Sequence, residues 1–304
     1  MAAAYLPWAD PPSGPQEPSG FLSYWAHWDG AWYTEIATEG YDVRAPASTA
    51  FFPVFPMIMR VGSALGGGPA LWGVLISLVA TTFALYFLYR IAEKFRGKDT
   101  ARATTLTFAF FPTAFFLNAP FTEALFVASA AGAYWSAYVR RDMLLAGLLG
   151  ALAAATRNSG VLLLIPLLYE WLRHREEFGW RGLWEMALVP TGLLGYMAFL
   201  WVRFEDPMVF AQAQTDYWGR ELTNPLTTLE ASGAVNVAFL ILFLVLMGIG
   251  FAVLPPGLSV YSFVVMLLHI LTPSPLIPLL GLPRFVLEAF PLFLGLGLLL
   301  SRSR

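Results

Sequence analysis

Long apolar runs separated by short polar connections make up most of the chain. Runs of membrane-spanning length, or a little short of it, lie at roughly 70–90, 103–118, 121–139, 143–157, 160–172, 184–202, 234–254, 257–271 and 286–300. About 20 apolar residues in a helix cross a bilayer core of about 30 Å. The pattern therefore predicts an all-α polytopic membrane protein with about nine transmembrane helices. The polar connections alternate in sign. Arg90, Lys94, Arg96, Lys98 and Arg102 share one connection, Arg140 and Arg141 the next but one, Arg173, Arg175 and Arg181 a third, and Arg302 and Arg304 close the chain. Basic loops mark the cytoplasmic side, so these connections and the C-terminus are expected there, in a plasma-membrane protein. The intervening connections are acidic or neutral: Asp29, Glu35, Glu39 and Asp42 precede the first span, Glu123 follows the second, and Glu205, Asp206, Asp216, Glu221 and Glu230 lie in 203–233. Residues 1–68 are thus expected as an extracytoplasmic N-terminal segment and 203–233 as an extracytoplasmic loop, within one domain spanning 1–304.

Two stretches break the regular pattern. The runs 143–157 and 160–172 are short for a full crossing and are joined by "TRNSG", which places Arg157 and Asn158 at a turn recessed below the outer surface. The segment "FFPVFPMIMRVGSALGG" is apolar but interrupted by Pro53 and Pro56, and the alternation of loops leaves it no crossing. It is expected as an interfacial or re-entrant helix on the outer face.

Composition agrees: 58% of residues are hydrophobic and 12% charged, against about 25% charged in a soluble domain. Cysteine is absent, which removes disulfides, thiol catalysis and cysteine metal sites. The net charge of −2, with basic residues only in short clusters, gives no nucleic-acid surface. No phosphate loop, HExxH, GxSxG or Asp-x-Asp pair is present, so nucleotide hydrolysis, zinc proteolysis and serine esterase chemistry have no motif. The first twenty residues lack the basic and apolar regions of a signal peptide and read as a flexible lead-in.

Chemistry concentrates in "HWDGAWYTEIATEGY", residues 27–41. One reading makes Trp25, Trp28, Trp32, Tyr33 and Tyr41 an interfacial aromatic belt with Asp29 capping a helix. The other makes Trp28, Trp32 and Tyr33 a sugar platform around Asp29, whose carboxylate accepts a hydroxyl proton. Glu123, in "FTEALF", is either a helix-start signal or a member of the same cavity, orienting an acceptor or pairing with Arg157. An arginine at membrane depth is costly unless paired and is by default a functional hypothesis. Arg157 and Arg284 suit a lipid-linked phosphate, because a guanidinium grips two oxygens at once; snorkelling is the alternative. Phe51, Phe52, Pro53 and Pro56 line an entrance for a lipid chain or simply pack at the interface. Trp218, Tyr217 and Arg220 sit in the outer loop, which is long enough to act as a lid. His27, His174 and His269 are isolated and are expected to make ordinary hydrogen bonds.

"WDGAWYTEIATEGY", "STAFFPVFP", "FFPTAFFLNAPFTEALF" and "GALAAATRNSGVLLLIPLLYEWL" occur in order over about residues 21–172, with "LPRFVLEAFPLF" further on. The set resembles the PIG-V family of mannosyltransferases and its prokaryotic relatives, which belong to the GT-C class of membrane glycosyltransferases. The resemblance implies a polyprenyl-phosphate sugar donor and an outward-facing site under the first external loop, with a loop aspartate, here Asp29, as catalytic base. The class ordinarily has a transmembrane helix ahead of that loop, where this chain has the flexible lead-in. The expected reaction is inverting transfer of a hexose, mannose by resemblance, to a hydroxyl of a glycan, glycolipid or protein. Arg284 and Arg157 are expected on the donor phosphate, Asn158 and Glu123 on substrate, and no metal or other cofactor is expected. A transporter or scramblase of lipid-linked sugar stays open, since broken helices and buried arginines also build transport pathways, although no internal repeat is evident.

Overall fold

The computed structural model describes residues 21–42, 46–273, 278–279 and 281–302; the expected lead-in over residues 1–20 and Arg304 lie outside them. Among the described residues every regular element is helical, since backbone polar groups surrounded by lipid must find partners within their own segment. Helix α1 (Asp29–Glu39) and α2 (Val54–Ser63) lead into α3 (Gly68–Arg96) and α4 (Lys98–Ala109). There follow α5 (Glu123–Trp135), prolonged by a π-helical turn over Ser136–Arg140, then α6 (Met143–Thr156), a 3₁₀ stretch Asn158–Leu163, α7 (Leu164–Arg173), α8 (Arg175–Phe178) and α9 (Arg181–Met186). The remaining elements are α10 (Thr191–Phe204), α11 (Val209–Asp216), α12 (Pro225–Glu230), α13 (Ala234–Val253), α14 (Pro256–Leu271), α15 (Leu282–Phe285) and α16 (Pro291–Arg302).

Two of these, α3 with 29 residues and α13 with 20, are long and apolar enough to cross a membrane unaided. The other apolar runs fold as shorter or interrupted helices, so the nine expected spans do not appear as nine continuous helices. Proline explains two of the breaks, because it lacks the backbone donor and clashes with the preceding turn. The run at 103–118 loses its helix after Ala109, just ahead of Pro112, and resumes only as a 3₁₀ turn over Ala114–Asn118. The run at 184–202 divides at Pro190 between α9 and α10. The broken apolar segment after Phe51 does form a helix, α2, with Phe55 and Met59 wholly buried while Met57, Val61 and Leu65 are exposed.

Side-chain contacts fix the helix directions. Phe87 lies 5.0 Å from Trp135 and Ser77 lies within 3.5 Å of the Phe121 carbonyl, so α3 and α5 pack side by side and run parallel. Phe108 meets Phe293 edge-on at 4.9 Å and the Thr100 and Ser301 hydroxyls share a 3.0 Å hydrogen bond, so α16 runs antiparallel to α4. Tyr134 donates to Glu170 at 3.0 Å, bringing the ends of α5 and α7 together. One end of the bundle therefore gathers Arg96, Lys98, Arg141 and Arg173. The opposite end gathers α1, the start of α5, the end of α6 and the end of α14.

Helices in lipid gain nothing from apolar burial against one another, and small residues let their backbones approach. In α5, Ala124, Ala130, Ala131 and Ala133 are fully buried. A Cβ on Gly147 would collide with the Glu185 carbonyl oxygen, and one on Gly192 with that of Ala151. Helix α6 thus meets the 181–192 region backbone to backbone. The outward faces of α3 and α13 carry exposed Leu78, Val79, Phe83, Leu242, Leu244 and Val245, a surface suited to lipid rather than water.

Candidate active site

Helix α1 begins at Asp29 itself. The preceding Trp28 has φ 54° and ψ −123°, a conformation that L-residues rarely adopt and that costs of order 1–3 kcal/mol where tertiary structure imposes it. Gly30 lets the turn press onto Pro120, just ahead of α5, since a Cβ there would meet that ring at 3.3 Å. The result directs the Asp29 carboxylate into a cavity of about 280 Å³.

Three guanidiniums and three carboxylates meet at or beside this cavity. Arg284, on the single-turn α15, donates from Nη1 to Asp29 Oδ2 at 2.6 Å, and its Nε lies 3.2 Å from Glu123 Oε1. Arg157 follows the last residue of α6, in extended backbone where that helix breaks. It donates to Glu123 Oε1 at 2.9 Å and to Thr122 Oγ1 at 3.0 Å, and its Nη2 lies 3.1 Å from Glu288 Oε1. Ser159 donates to the other Glu288 oxygen at 2.6 Å. The Glu123 and Glu288 side chains are each 1% exposed, so their charges persist only because the arginines compensate them. Glu123 also opens α5, where the helix dipole favours a negative charge.

Asp29 and Arg284 are more open, with side chains 26% and 14% exposed. The third cation, Arg220, lines the cavity from the 203–233 connection. Burial lowers its proton affinity from the ordinary arginine value, an effect that the nearby Asp29 charge opposes; arginine nonetheless stays charged in proteins. Arg157, Arg220 and Arg284 flank one ring, Phe285, at 5.3, 5.6 and 4.8 Å from its centroid. Tyr33 shares a 3.2 Å hydrogen bond with Thr122. Burial pushes its phenol far above the usual range, so it remains a hydroxyl.

The residues singled out in the sequence divide. Asp29, Arg157, Arg284 and Asn158 line the cavity together, and Tyr33, Phe51 and Phe52 complete one wall. Four others do not line it. Trp28 is 48% exposed. Trp32 is buried, stacked on Phe51 at 5.5 Å and edge-on to Trp218 at 6.0 Å, so it supports the wall rather than facing the space. Glu123 sits behind the two arginines, and Pro53 precedes α2 as its cap. Phe52, on the cavity wall, is held in place by Tyr196 at 4.7 Å and Phe210 at 5.6 Å. Sequence reasoning missed Glu288, His269 and Ser159, which also line the cavity. The available signal was the four-residue spacing of Arg284 and Glu288, and the need of Arg157 for a buried anion. Among the described residues no cluster of three metal-binding side chains occurs.

The sequence model of a family described as "Mannosyltransferase (PIG-V)" matches residues 12–173, just over half of the 304 residues. No curated protein gives a match. Among solved structures, the chain is similar to the crystal structure of ArnT from Cupriavidus metallidurans bound to undecaprenyl phosphate. That likeness has a TM-score of 0.61 at 17% identity, covering 89% of this chain and 55% of that one. At such identity it shows the fold, and the chain spans about half the length of that protein.

Proposed function

Because the chain belongs to the mannosyltransferase (PIG-V) family, we propose that it transfers mannose from a polyprenyl-phosphate donor to an acceptor hydroxyl on the extracytoplasmic face of the plasma membrane. The observation that carries this reading is the convergence of Asp29 with Arg284, Arg157 and Arg220 on one cavity. A carboxylate that can take a proton stands beside cations that can hold a phosphate, the two functions an inverting transfer from a lipid phosphate requires. The undecaprenyl phosphate bound by ArnT, a protein of similar fold, supports a polyprenyl-phosphate donor.

In the proposed reaction the acceptor hydroxyl gives its proton to Asp29 while its oxygen bonds to the anomeric carbon. The bond from that carbon to the phosphate oxygen breaks, and its electron pair stays on the phosphate. Asp29 acts as general base, a role typically worth 10²–10⁴-fold. Arginines beside the phosphate stabilise the charge that grows as the bond breaks, so they favour the transition state over the ground state. Tyr33, Asn158 and the Phe51 ring face the space left for sugar. Trp32 holds Phe51 in place.

The test is incubation of the purified protein with radiolabelled polyprenyl-phosphate mannose in liposomes. Transfer to an added glycolipid or glycan, or slow hydrolysis that releases mannose, supports the proposal. Movement of intact donor between leaflets without cleavage favours a transporter, and neither outcome leaves the family's activity absent from this chain.

A further inference from the structure

The ion pairs in the cavity are unevenly shared. Arg157 faces two carboxylates, Glu123 and Glu288, at 2.9 and 3.1 Å. Arg284 has one close partner, Asp29 at 2.6 Å, and a longer contact at 3.2 Å to the Glu123 oxygen that Arg157 already holds. Among the described residues Arg220 has no carboxylate at ion-pair distance; its guanidinium lies against the Phe285 ring, 5.6 Å from the centroid. Three positive and three negative groups balance, yet among the described residues one cation has no carboxylate at ion-pair distance and another is held chiefly by Asp29.

Proton transfer changes that arrangement. A phosphodiester donor carries one negative charge, and the polyprenyl phosphate released from it gains a second. In the same step Asp29 loses its charge by taking the acceptor proton. The total charge in the cavity is constant, but one negative charge moves from Asp29 to the phosphate. Arg284 borders the same cavity as Asp29 and loses its closest partner at that moment.

Building on the transfer reaction proposed above, we infer that Asp29 and the lipid phosphate compete for Arg284. Arg220 binds the phosphate of the incoming donor, and Arg284 passes from Asp29 to the leaving phosphate as the proton reaches Asp29. Base and leaving group are thereby coupled through one guanidinium: the leaving group gains its second cation only when the acceptor has been deprotonated. The reverse exchange expels the product. Once Asp29 gives its proton to water it reclaims Arg284, and the lipid phosphate is left with a weaker hold.

The test is equilibrium binding of undecaprenyl phosphate to the purified chain at pH 8, where a phosphate monoester with a second pKa of about 6 is a dianion. Asp29→Asn mimics the protonated base with nearly the same shape. It is expected to bind undecaprenyl phosphate about tenfold tighter than the native protein, the gain expected when one charge-assisted hydrogen bond is released to the ligand. With Arg284→Gln in place, the same Asp29 change should alter affinity by less than about twofold, because the coupling runs through that side chain. Arg284→Lys, which keeps the charge, should retain part of the gain and serves if Arg284→Gln does not fold. Arg220→Gln should weaken binding in both the native and the Asp29→Asn backgrounds. Equal or weaker binding by Asp29→Asn overturns the competition, and so does a gain that persists without Arg284. Absence of saturable undecaprenyl phosphate binding by the native protein would instead overturn the donor class, which is a different failure.

Discussion

Replacing Arg157 by methionine removes the cation between two carboxylates whose side chains are each 1% exposed. At 2.9 and 3.1 Å, and with an effective dielectric of about 20, each contact is worth about 5–6 kcal/mol of gross Coulomb energy. Much of that offsets desolvation, and breaking a buried pair by removing one partner costs about 3–5 kcal/mol. An independent bound comes from neutralisation. A carboxylate stripped of its cation escapes by taking a proton, and converting an ordinary glutamate of pKa about 4.3 to its acid at pH 7 costs about 3.7 kcal/mol. Among the described residues Glu288 loses its only arginine and Glu123 keeps only the longer contact to Arg284 at 3.2 Å, which places the loss near the top of the range, about 4–5 kcal/mol. With about 2 °C per kcal/mol for a chain of this size, the unfolding midpoint in detergent should fall by about 8–10 °C at pH 7. The sign with pH follows: at pH 5 the same protonation costs only about 1 kcal/mol per group, so the gap between variant and native protein should narrow on acidification. Adding Glu288→Gln should recover part of the loss at pH 7. Tryptophan fluorescence during heating reads all of these. A drop under about 2 °C at pH 7, or a gap that does not narrow at pH 5, would refute the assignment of Arg157 as the neutralising centre.

Other outcomes follow from single features. Gly192→Ala should destabilise the α6–α10 contact by more than about 2 kcal/mol, because its Cβ would meet a backbone oxygen that cannot rotate away; an unchanged midpoint contradicts that packing. Trp28→Gly should raise the midpoint by about 2 °C, since glycine adopts the observed backbone freely and the ring is 48% exposed; a fall in the midpoint argues against strain there. Tyr33→Phe should leave the pH–rate profile unchanged, because the buried phenol stays protonated throughout the assay range, and a displaced limb in that profile would give the phenol a proton-transfer role. Chelation by EDTA should leave transfer intact, because three guanidiniums already surround Phe285; loss of activity restored by magnesium or manganese contradicts this.

Much of the architecture was readable because lipid imposes it. An apolar run must be helical, and arginines at 157 and 284 must find partners, so both stand out in the sequence, with Glu123 as one candidate partner for Arg157. Asp29 stood out because an acidic residue set among so many aromatics is unusual. What escaped was pairing over long sequence distance. Glu288 lies 131 residues from Arg157, and nothing in "VLEAF" distinguishes a buried anion from an interfacial one. The tryptophans show the same limit: composition places Trp28 and Trp32 at an interface, but the strained turn at Trp28 decides that one faces outward and the other packs beneath Phe51. Helix continuity was over-read for a local reason, since hydropathy registers Phe110 and Phe111 as membrane-like while Pro112 ends the hydrogen-bonded run.

In the proposed reaction the Asp29 carboxylate removes the acceptor proton. The most direct test of that step is the rate of mannose transfer from labelled polyprenyl-phosphate mannose by folded Asp29→Asn protein, compared with native protein in the same liposomes. A loss of at least about 100-fold in kcat is expected, with undecaprenyl phosphate still bound. Turnover within a few-fold of native would contradict it.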